Sequence, residues 1–142
     1  MNALLLAQFA FAEPDAASIP DALRVALSGR HPVPCETLRA LTPNPAADLS
    51  RAVNNLPYPP WAPMRAARCL LLEPGTDAVV AGWVTDPERL GLAQLVFDHL
   101  DELPTARSVA VVERALTGPW SVEARRAARS SNRREVRAVA ER

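Results

Sequence analysis

The sequence has no lysine and few aromatic residues. All 16 of its basic residues are arginines, which codon bias in the GC-rich genome of a bacterium explains more simply than selection for planar contacts to phosphates or carboxylates. Aromatic residues make up 5% of the chain, so the core must consist mainly of alanine, leucine and valine. Such small and aliphatic side chains suit closely packed helices better than a sheet.

Cysteine is also scarce, which excludes a disulfide framework. The two cysteines, Cys35 and Cys69, form no Cys-x-x-Cys motif and lie in no cluster with histidine, so no metal site is predicted. Both lie in apolar helical segments, and we therefore expect buried, unpaired thiols. No cofactor is predicted.

No hydrophobic run is long enough to cross a bilayer. The apolar opening segment MNALLLAQFAFAEP lacks the basic start of a secretory signal and is followed by Glu13 and Asp15. We therefore expect a cytoplasmic protein that does not associate with membranes.

What is present is typical of one folded domain. The chain has 142 residues, of which 49% are hydrophobic and 23% charged. Most of the 14 prolines lie where a helix would begin or a loop would break it. No segment alternates with a period of two, so no sheet is predicted. Apolar periodicity and break residues predict helices over residues 2–12, 18–29, 34–41, 45–54, 61–72, 76–84, 87–103 (capped by Asp86), 105–117, 120–130 and 132–141.

The predicted helices form similar units. A shift of 26 positions places Pro34, Leu38, Arg39 and Ala40 on Pro60, Met64, Arg65 and Ala66, and self-similarity at such a period is typical of stacked helical repeats. Long helices then begin near residues 34, 60, 87 and 119. We therefore predict an all-α fold, a right-handed α-solenoid in a single domain. Its parts are N-terminal capping helices in 1–30, central repeats in 31–118 and an arginine-rich C-terminal helix pair in 119–142.

Two sets of residues match known repeat patterns. In the stretch 31–70 they are Pro32, Pro34, Glu36, Leu38, Leu41, Asp48, Arg51, Ala52, Val53, Asn55 and Pro57, and in the C-terminal third they are Trp120, Val122, Arg125, Ala127, Ala128, Val136, Arg137, Val139 and Ala140. The stretch 31–70 thereby resembles the leucine-rich repeat variant family, and the C-terminal third resembles HEAT-type repeats.

The chain departs from the family pattern at His31 and Leu56, where a new unit would begin. The cysteine-rich segment with which some family members hold an iron–sulfur cluster is absent, so no cofactor is carried over. The resemblance implies a right-handed superhelix with a concave face that binds a macromolecule.

Charge is divided unevenly along the chain. Residues 1–106 carry seven arginines against twelve acidic residues, a net charge of −5, whereas residues 107–142 carry nine against four, a net charge of +5. Clustered arginines are able to neutralise phosphates, but interspersed glutamates also fit an acidic protein partner or self-association with the acidic part of the chain. The candidate binding arginines are Arg125, Arg126, Arg129, Arg133, Arg134 and Arg137.

Two further segments are candidates for function. Tyr58 and Trp61, in the segment LPYPPW, are potential interface anchors; the alternative is a loop whose tryptophan packs under the next helix. His99 lies beside Asp98, Asp101 and Glu102, and these residues form either a small acidic metal or acid–base cluster or the solvated face of a helix. No catalytic triad, phosphate-binding loop or zinc-protease motif is present.

The sequence thus favours a non-catalytic helical-repeat adaptor or scaffold that binds a protein partner. The alternative is a nucleic-acid-binding repeat protein that uses the C-terminal arginines. A more distant alternative is an enzyme that uses the His99 cluster.

Overall fold

Prolines and short polar loops separate a series of short helices. The computed structural model describes residues 19–142, and within this range every regular element is a helix. The helix predicted over 2–12 and the predicted capping role of Ser18 lie outside the described residues. The helices are α1 (Asp21–Ser28), α2 (Cys35–Ala40), α3 (Pro45–Asn55), α4 (Trp61–Leu71), α5 (Asp77–Thr85), α6 (Leu90–Asp98), α7 (Thr105–Ala115), α8 (Ser121–Arg129) and α9 (Arg134–Ala140), with a single 3₁₀ turn at Leu100–Glu102.

The third long helix differs from its prediction. Helix α6 begins at Leu90 rather than at Pro87, because residues 86–89 form a turn in which the backbone N–H of Glu88 donates to Asp86 Oδ1 at 2.9 Å. The side chain of Asp86 therefore caps this turn and not the helix. The other end also breaks early, since the backbone after Asp98 passes into the 3₁₀ turn.

The turn between α4 and α5 depends on two residues. Gly75 has a φ of 77°, which glycine adopts without the steric cost that a Cβ would bring. The buried Thr76 hydroxyl donates to the carbonyl oxygens of Leu70 at 3.1 Å and Glu73 at 2.9 Å. These bonds satisfy carbonyls that the end of α4 leaves without an intrahelical partner.

From α4 onward, the helices pack in a regular order. Helices α4 to α7 each contact the next helix but one, and most of the helices also contact the neighbour that follows or precedes them in the chain. Helix α1 packs on α4. One continuous core of alanine, leucine and valine runs through these contacts, with Leu23, Leu49, Leu70, Val84 and Val112 among its fully buried members.

Three arginines connect helices that are distant in sequence. Each guanidinium group donates to backbone carbonyls at or just beyond the end of an earlier helix, where the unpaired carbonyls carry partial negative charge. This contact ties the end of one helix to the side or the beginning of a later one. Arg65 donates to Leu27, Gly29 and Arg30, Arg107 to Leu71 and Glu73, and Arg133 to Asp101 and Leu103.

Candidate binding surfaces

One side of α4 presents large apolar side chains to solvent. The exposed fraction is 42% for Trp61, 36% for Met64 and 49% for Leu72, the residue that ends the helix. Positions 61, 64, 68 and 72 follow the helical repeat and therefore share one side. We call Trp61, Met64, Arg68 and Leu72 the α4 face.

The buried side of α4 explains why this face stays exposed. Ala62, Ala66 and Ala67 are fully buried, as are Leu70 and Leu71. Small residues on that side allow α3, α1 and α6 to pack on α4, so its larger side chains are left outside. Helical periodicity alone predicts that Met64 lies with Ala67 and Leu71 on the apolar, core-facing side of this helix. Met64 is instead exposed for this reason, so this part of the prediction was wrong.

Tyr58 and Trp61 lie at the beginning of the α4 face. Tyr58 is 79% exposed, and its position in the loop is two residues before Pro60, the N-cap of α4. The Arg65 guanidinium lies over the Trp61 ring, 5.6 Å from its centroid, an arrangement that a cation–π attraction favours. The ring therefore packs beneath an arginine of its own helix and remains accessible to a partner.

A groove lies between the α4 face and the loop that precedes α2. It has a volume of about 360 Å³ and combines proline, valine and leucine side chains with two arginines. Arg65 is fixed by its bonds to the end of α1, whereas exposed Arg68 approaches the exposed Glu102 at 3.8 Å. The lining of the groove consists of Pro32, Val33, Pro34, Cys35, Arg65, Arg68, Cys69 and Leu72.

The two cysteines are joined, so the prediction of two unpaired thiols was wrong. Cys35 and Cys69 form a disulfide, with their Cα atoms 5.3 Å apart. Cys69 is buried, as predicted, and Cys35 is half-buried. Helical context therefore indicated burial correctly for Cys69 only. It carries no information on whether the fold brings together two side chains that lie 34 residues apart in the sequence.

Three of the six candidate arginines bind the protein's own backbone. Arg133 donates to the Asp101 carbonyl at 2.7 Å and to the Leu103 carbonyl. Arg137 donates to the Ser131 carbonyl at 2.8 Å, and Arg125 to the Ala140 carbonyl. A carbonyl does not cancel the charge of a guanidinium, so these residues position the C-terminal helices and still contribute positive potential.

The other three candidates face solvent. Arg129 lies 3.5 Å from the exposed Glu141. The side chains of Arg126 and Arg134 have no hydrogen bond or ion pair with any residue between 19 and 142. Shallow grooves of about 460 Å³ and 350 Å³ lie beside these arginines. Within the described residues, the side chains of Arg126 and Arg134 at the basic end, residues 119–142, are therefore exposed and have neither a counterion nor a carbonyl partner.

The structure separates the members of the His99 cluster. The half-buried His99 ring shares a hydrogen bond with the Leu95 carbonyl through Nδ1 at 2.8 Å, while the Asp98 carboxylate accepts from Gln94 at 2.8 Å. Asp101 accepts from the Ser131 hydroxyl and, at 2.9 Å, from the Asn132 backbone. The Ser131 hydrogen bond is the main cause that lowers the pKa of Asp101, followed by the Asn132 N–H, with Arg133 and Arg137 adding a smaller effect.

These contacts give His99, Asp98 and Asp101 separate hydrogen-bond partners. No group of three or more histidine, cysteine, aspartate or glutamate residues in the described range could hold a metal ion. Asp101 fixes the loop before α9 to the 3₁₀ turn that follows α6.

Of the helices in residues 19–142, none combines the length and apolarity needed to cross a membrane.

Comparison with known proteins found no relative. A scan against protein-family models, a search of curated proteins and a search of solved structures each gave no significant match.

Sequence reasoning found the beginning of the α4 face but missed the rest of it. Tyr58 and Trp61 were predicted, whereas Arg68 and Leu72 were not, and Met64 was assigned to the core. The spacing of three and four residues between Trp61, Met64, Arg68 and Leu72 was a detectable signal that they share one side of a helix. It was hidden because α4 is apolar on several sides, and spacing alone does not indicate which side a neighbouring helix covers.

Proposed function

We propose that the chain is a non-catalytic helical-repeat module that binds a protein segment on the α4 face. The observation that carries the proposal is the row of exposed apolar side chains on α4 beside the exposed Tyr58. Isolated exposed apolar residues are common on soluble proteins, whereas a group on one side of one helix is typical of an interaction site. Tyrosine, tryptophan and arginine are also the residues that most often dominate binding energy.

The architecture that we propose for this module is a right-handed α-solenoid. The regular contacts between each helix and the next helix but one support stacked units, as do the arginines that reach back by 30–38 residues to an earlier helix end. Such stacking gives each unit contacts mainly with its neighbours and leaves an extended surface for a partner. The resemblance to leucine-rich repeat variant and HEAT-type proteins remains a prediction.

Charge suggests the chemistry of the partner. Arg68 is exposed and its only ion pair within the described residues, with Glu102, is loose and solvated. Such a pair contributes little, so a partner carboxylate is able to compete for the guanidinium. We therefore expect an apolar segment that carries one or more carboxylates, with an apolar side chain against Trp61 and Leu72.

Selection from a displayed library of random peptides tests this proposal. Peptides selected on the purified chain should be apolar and acidic, and Trp61→Ala should weaken their binding by about tenfold or more, as expected of a hot-spot tryptophan. Leu90→Ala is the matched control, because Leu90 is 46% exposed but lies on α6. Equal affinities of the two variants for the selected peptides, or the absence of any enriched peptide class, would contradict the proposal. Circular dichroism verifies that both variants fold.

The second candidate is a nucleic-acid-binding function at the basic end. The free side chains of Arg126 and Arg134 favour it, together with the neighbouring arginines that bind only carbonyls. Phosphate-driven binding weakens steeply with salt. We therefore expect any binding of duplex or single-stranded DNA to fall strongly between about 50 and 200 mM salt.

The variants for this test follow from the structure. Arg126→Glu combined with Arg134→Glu reverses two charges that make no contact among residues 19–142. Arg133, at the start of α9, is less suitable, because it binds the Asp101 and Leu103 carbonyls and its replacement would also disturb packing. Arg114→Glu, an exposed change on α7, is the control. Absence of binding at the lower salt concentration would eliminate this candidate.

A further inference from the structure

The disulfide is the strongest link between α2 and the rest of the fold. Helix α2 has only six residues, and Leu38 is the one residue of α2 that is fully buried. No extensive packing of α2 on another described helix is present. A helix of this length is not stable alone, so its order depends on a few attachments.

Two attachments join α2 to α4. The first is the bond between Cys35, the first residue of α2, and Cys69, in the last turn of α4. The second is an ion pair in which Arg39 Nε lies 2.6 Å from the buried carboxylate of Glu73. The guanidinium is more than half exposed, and we therefore expect the covalent bond to contribute most of the tether.

The surroundings of the disulfide allow it to react. Cys35 is half-buried and both sulfur-bearing residues line the groove beside the α4 face. Arg65 and Arg68 line the same groove, and a neighbouring guanidinium favours the thiolate form of cysteine. A thiol that enters the groove therefore reaches Cys35 Sγ more readily than the deeper Cys69. The Cys69 thiolate, which is the leaving group of this attack, is stabilised by the nearby guanidinium groups.

We propose that Cys35 and Cys69 form a reversible thiol–disulfide switch that fastens α2 to α4 when oxidised and releases it when reduced. The reductant is a low-molecular-weight thiol, and the oxidant is its disulfide. This proposal does not depend on whether a partner docks on the α4 face.

The exchange is balanced in two steps. A thiolate attacks Cys35 Sγ, the bond between Cys35 Sγ and Cys69 Sγ breaks, and its electron pair goes to Cys69 Sγ, which takes up a proton. A second thiolate then attacks the external sulfur of the mixed disulfide, which releases Cys35 as a thiol after protonation. Two external thiols are thereby oxidised to one disulfide as the protein disulfide is reduced to two thiols, and the reverse sequence closes the bond again.

Thiol counting and hydrogen exchange test the switch on the full chain. The protein is equilibrated with mixtures of reduced and oxidised glutathione, quenched with an alkylating reagent and analysed by mass spectrometry. We expect a reversible transition between zero and two alkylated cysteines without denaturant. We also expect amide exchange in residues 33–44 to increase by about tenfold or more on reduction, as local attachment is lost, while exchange in α7–α9 is unchanged.

A double cysteine variant and two arginine variants distinguish the switch from general destabilisation. The double change Cys35→Ser with Cys69→Ser should show the fast exchange of residues 33–44 in both reduced and oxidised buffer. Arg68→Gln should slow reduction by dithiothreitol, whereas Arg114→Gln, a distant exposed change, should not. Two free thiols in every buffer, a disulfide that resists thiols until the chain is unfolded, or equal exchange of residues 33–44 in both redox states would each overturn the proposal.

Discussion

Arg107 shows how much of the arginine content serves the fold. Its side chain is largely buried and donates to the carbonyls of Leu71 at 2.5 Å and Glu73 at 3.2 Å, while Nε pairs with Asp77 at 2.7 Å. The end of α4, the beginning of α5 and the beginning of α7 therefore meet at one guanidinium. Lysine has no planar group with several donors in fixed directions and would not reproduce this contact.

The first prediction concerns this contact. Arg107→Ala should lower the free energy of unfolding by about 1–3 kcal/mol, because the Leu71 and Glu73 carbonyls lose a charged donor in a partly buried place. Arg114→Ala on the same helix should change it by about 0.5 kcal/mol or less, as expected of an exposed side chain with no contact in the described part of the chain. Urea denaturation followed by circular dichroism measures both. Equal effects of the two variants would show that the contact does not stabilise the fold.

A second residue-scale prediction concerns Asp101 and acid. The hydrogen bond from Ser131 lowers the pKa of Asp101 from its ordinary value of 3.8, so the folded state favours the ionised carboxylate more than the unfolded state does. This stabilisation is present above the ordinary pKa and is lost as pH falls through the lowered pKa of the folded state.

Thermal melts between about pH 6 and pH 2 check the sign of this effect. The difference in melting temperature between the wild type and Asp101→Asn should shrink as pH falls through this range. Ser131→Ala keeps the carboxylate but removes the main hydrogen bond, so its difference from the wild type should shrink as well. A difference that stays constant or grows in acid would contradict the assignment.

At the scale of elements, α4 is the helix on which the N-terminal half is built. It packs against α1, α3 and α6 and carries one member of the disulfide. Alanines at its fully buried positions allow the neighbouring backbones to approach closely. The same arrangement leaves its larger side chains outside, so close packing on one side produces the candidate binding surface on the other.

The third prediction tests this close approach. Ala66→Leu should cost about 1–3 kcal/mol of unfolding free energy, because added methylenes have no space between α4 and its neighbours. Ala78→Leu introduces the same side chain at an exposed position of α5 and should be nearly neutral. Chemical denaturation of both variants compares them directly. Similar stability of the two would mean that the Ala66 side is loosely packed.

Helix positions were largely predictable from local signals. The helix predicted over 45–54 is observed at Pro45–Asn55, and the helix predicted over 105–117 at Thr105–Ala115. Prolines explain this success, since a fixed φ and a missing N–H favour the first turn of a helix. Asp86 misled the prediction, because its side chain caps a turn as readily as a helix.

Contacts between elements were less predictable. Local sequence contains no signal that Cys35 meets Cys69 or that the ring nitrogen of Trp120 donates to the Asp86 carbonyl at 2.8 Å. Periodicity alone groups Val79 with Val80 and Trp83, and places Leu90 on the apolar face of its helix, yet Val79 and Leu90 are exposed. In a mostly apolar helix, the neighbouring helices decide which side is buried, and their placement is a property of the whole fold.

At the scale of the whole molecule, the charge split is partly neutralised by internal contacts. Arg107 in the basic part pairs with Asp77 in the acidic part, whereas the Arg39–Glu73 and Arg142–Glu113 pairs each lie within one part. Other arginines bind carbonyls and leave their charge exposed to the surroundings. The basic end therefore remains positive, and association with a second copy through the acidic part stays a prediction.

Composition and repeats predicted an all-helical protein, and residues 19–142 confirm that class. They predicted a binding role without a partner, and this role is still a proposal. The binding surface is harder to predict than the fold class for a physical reason: it is defined by the side chains that the fold leaves uncovered. Tyr58 was recognisable from its proline-rich loop, whereas Leu72 became a candidate only when the packing of α4 was known.

The most direct test of the proposed function is a hydrogen-exchange footprint of the chain bound to a library-selected peptide. The amides of residues 56–72 should become protected on binding, and protection should persist at high salt because apolar contacts dominate. Protection confined to residues 121–142, or lost as salt is raised, would contradict the α4 face as the binding surface and assign binding to the basic end.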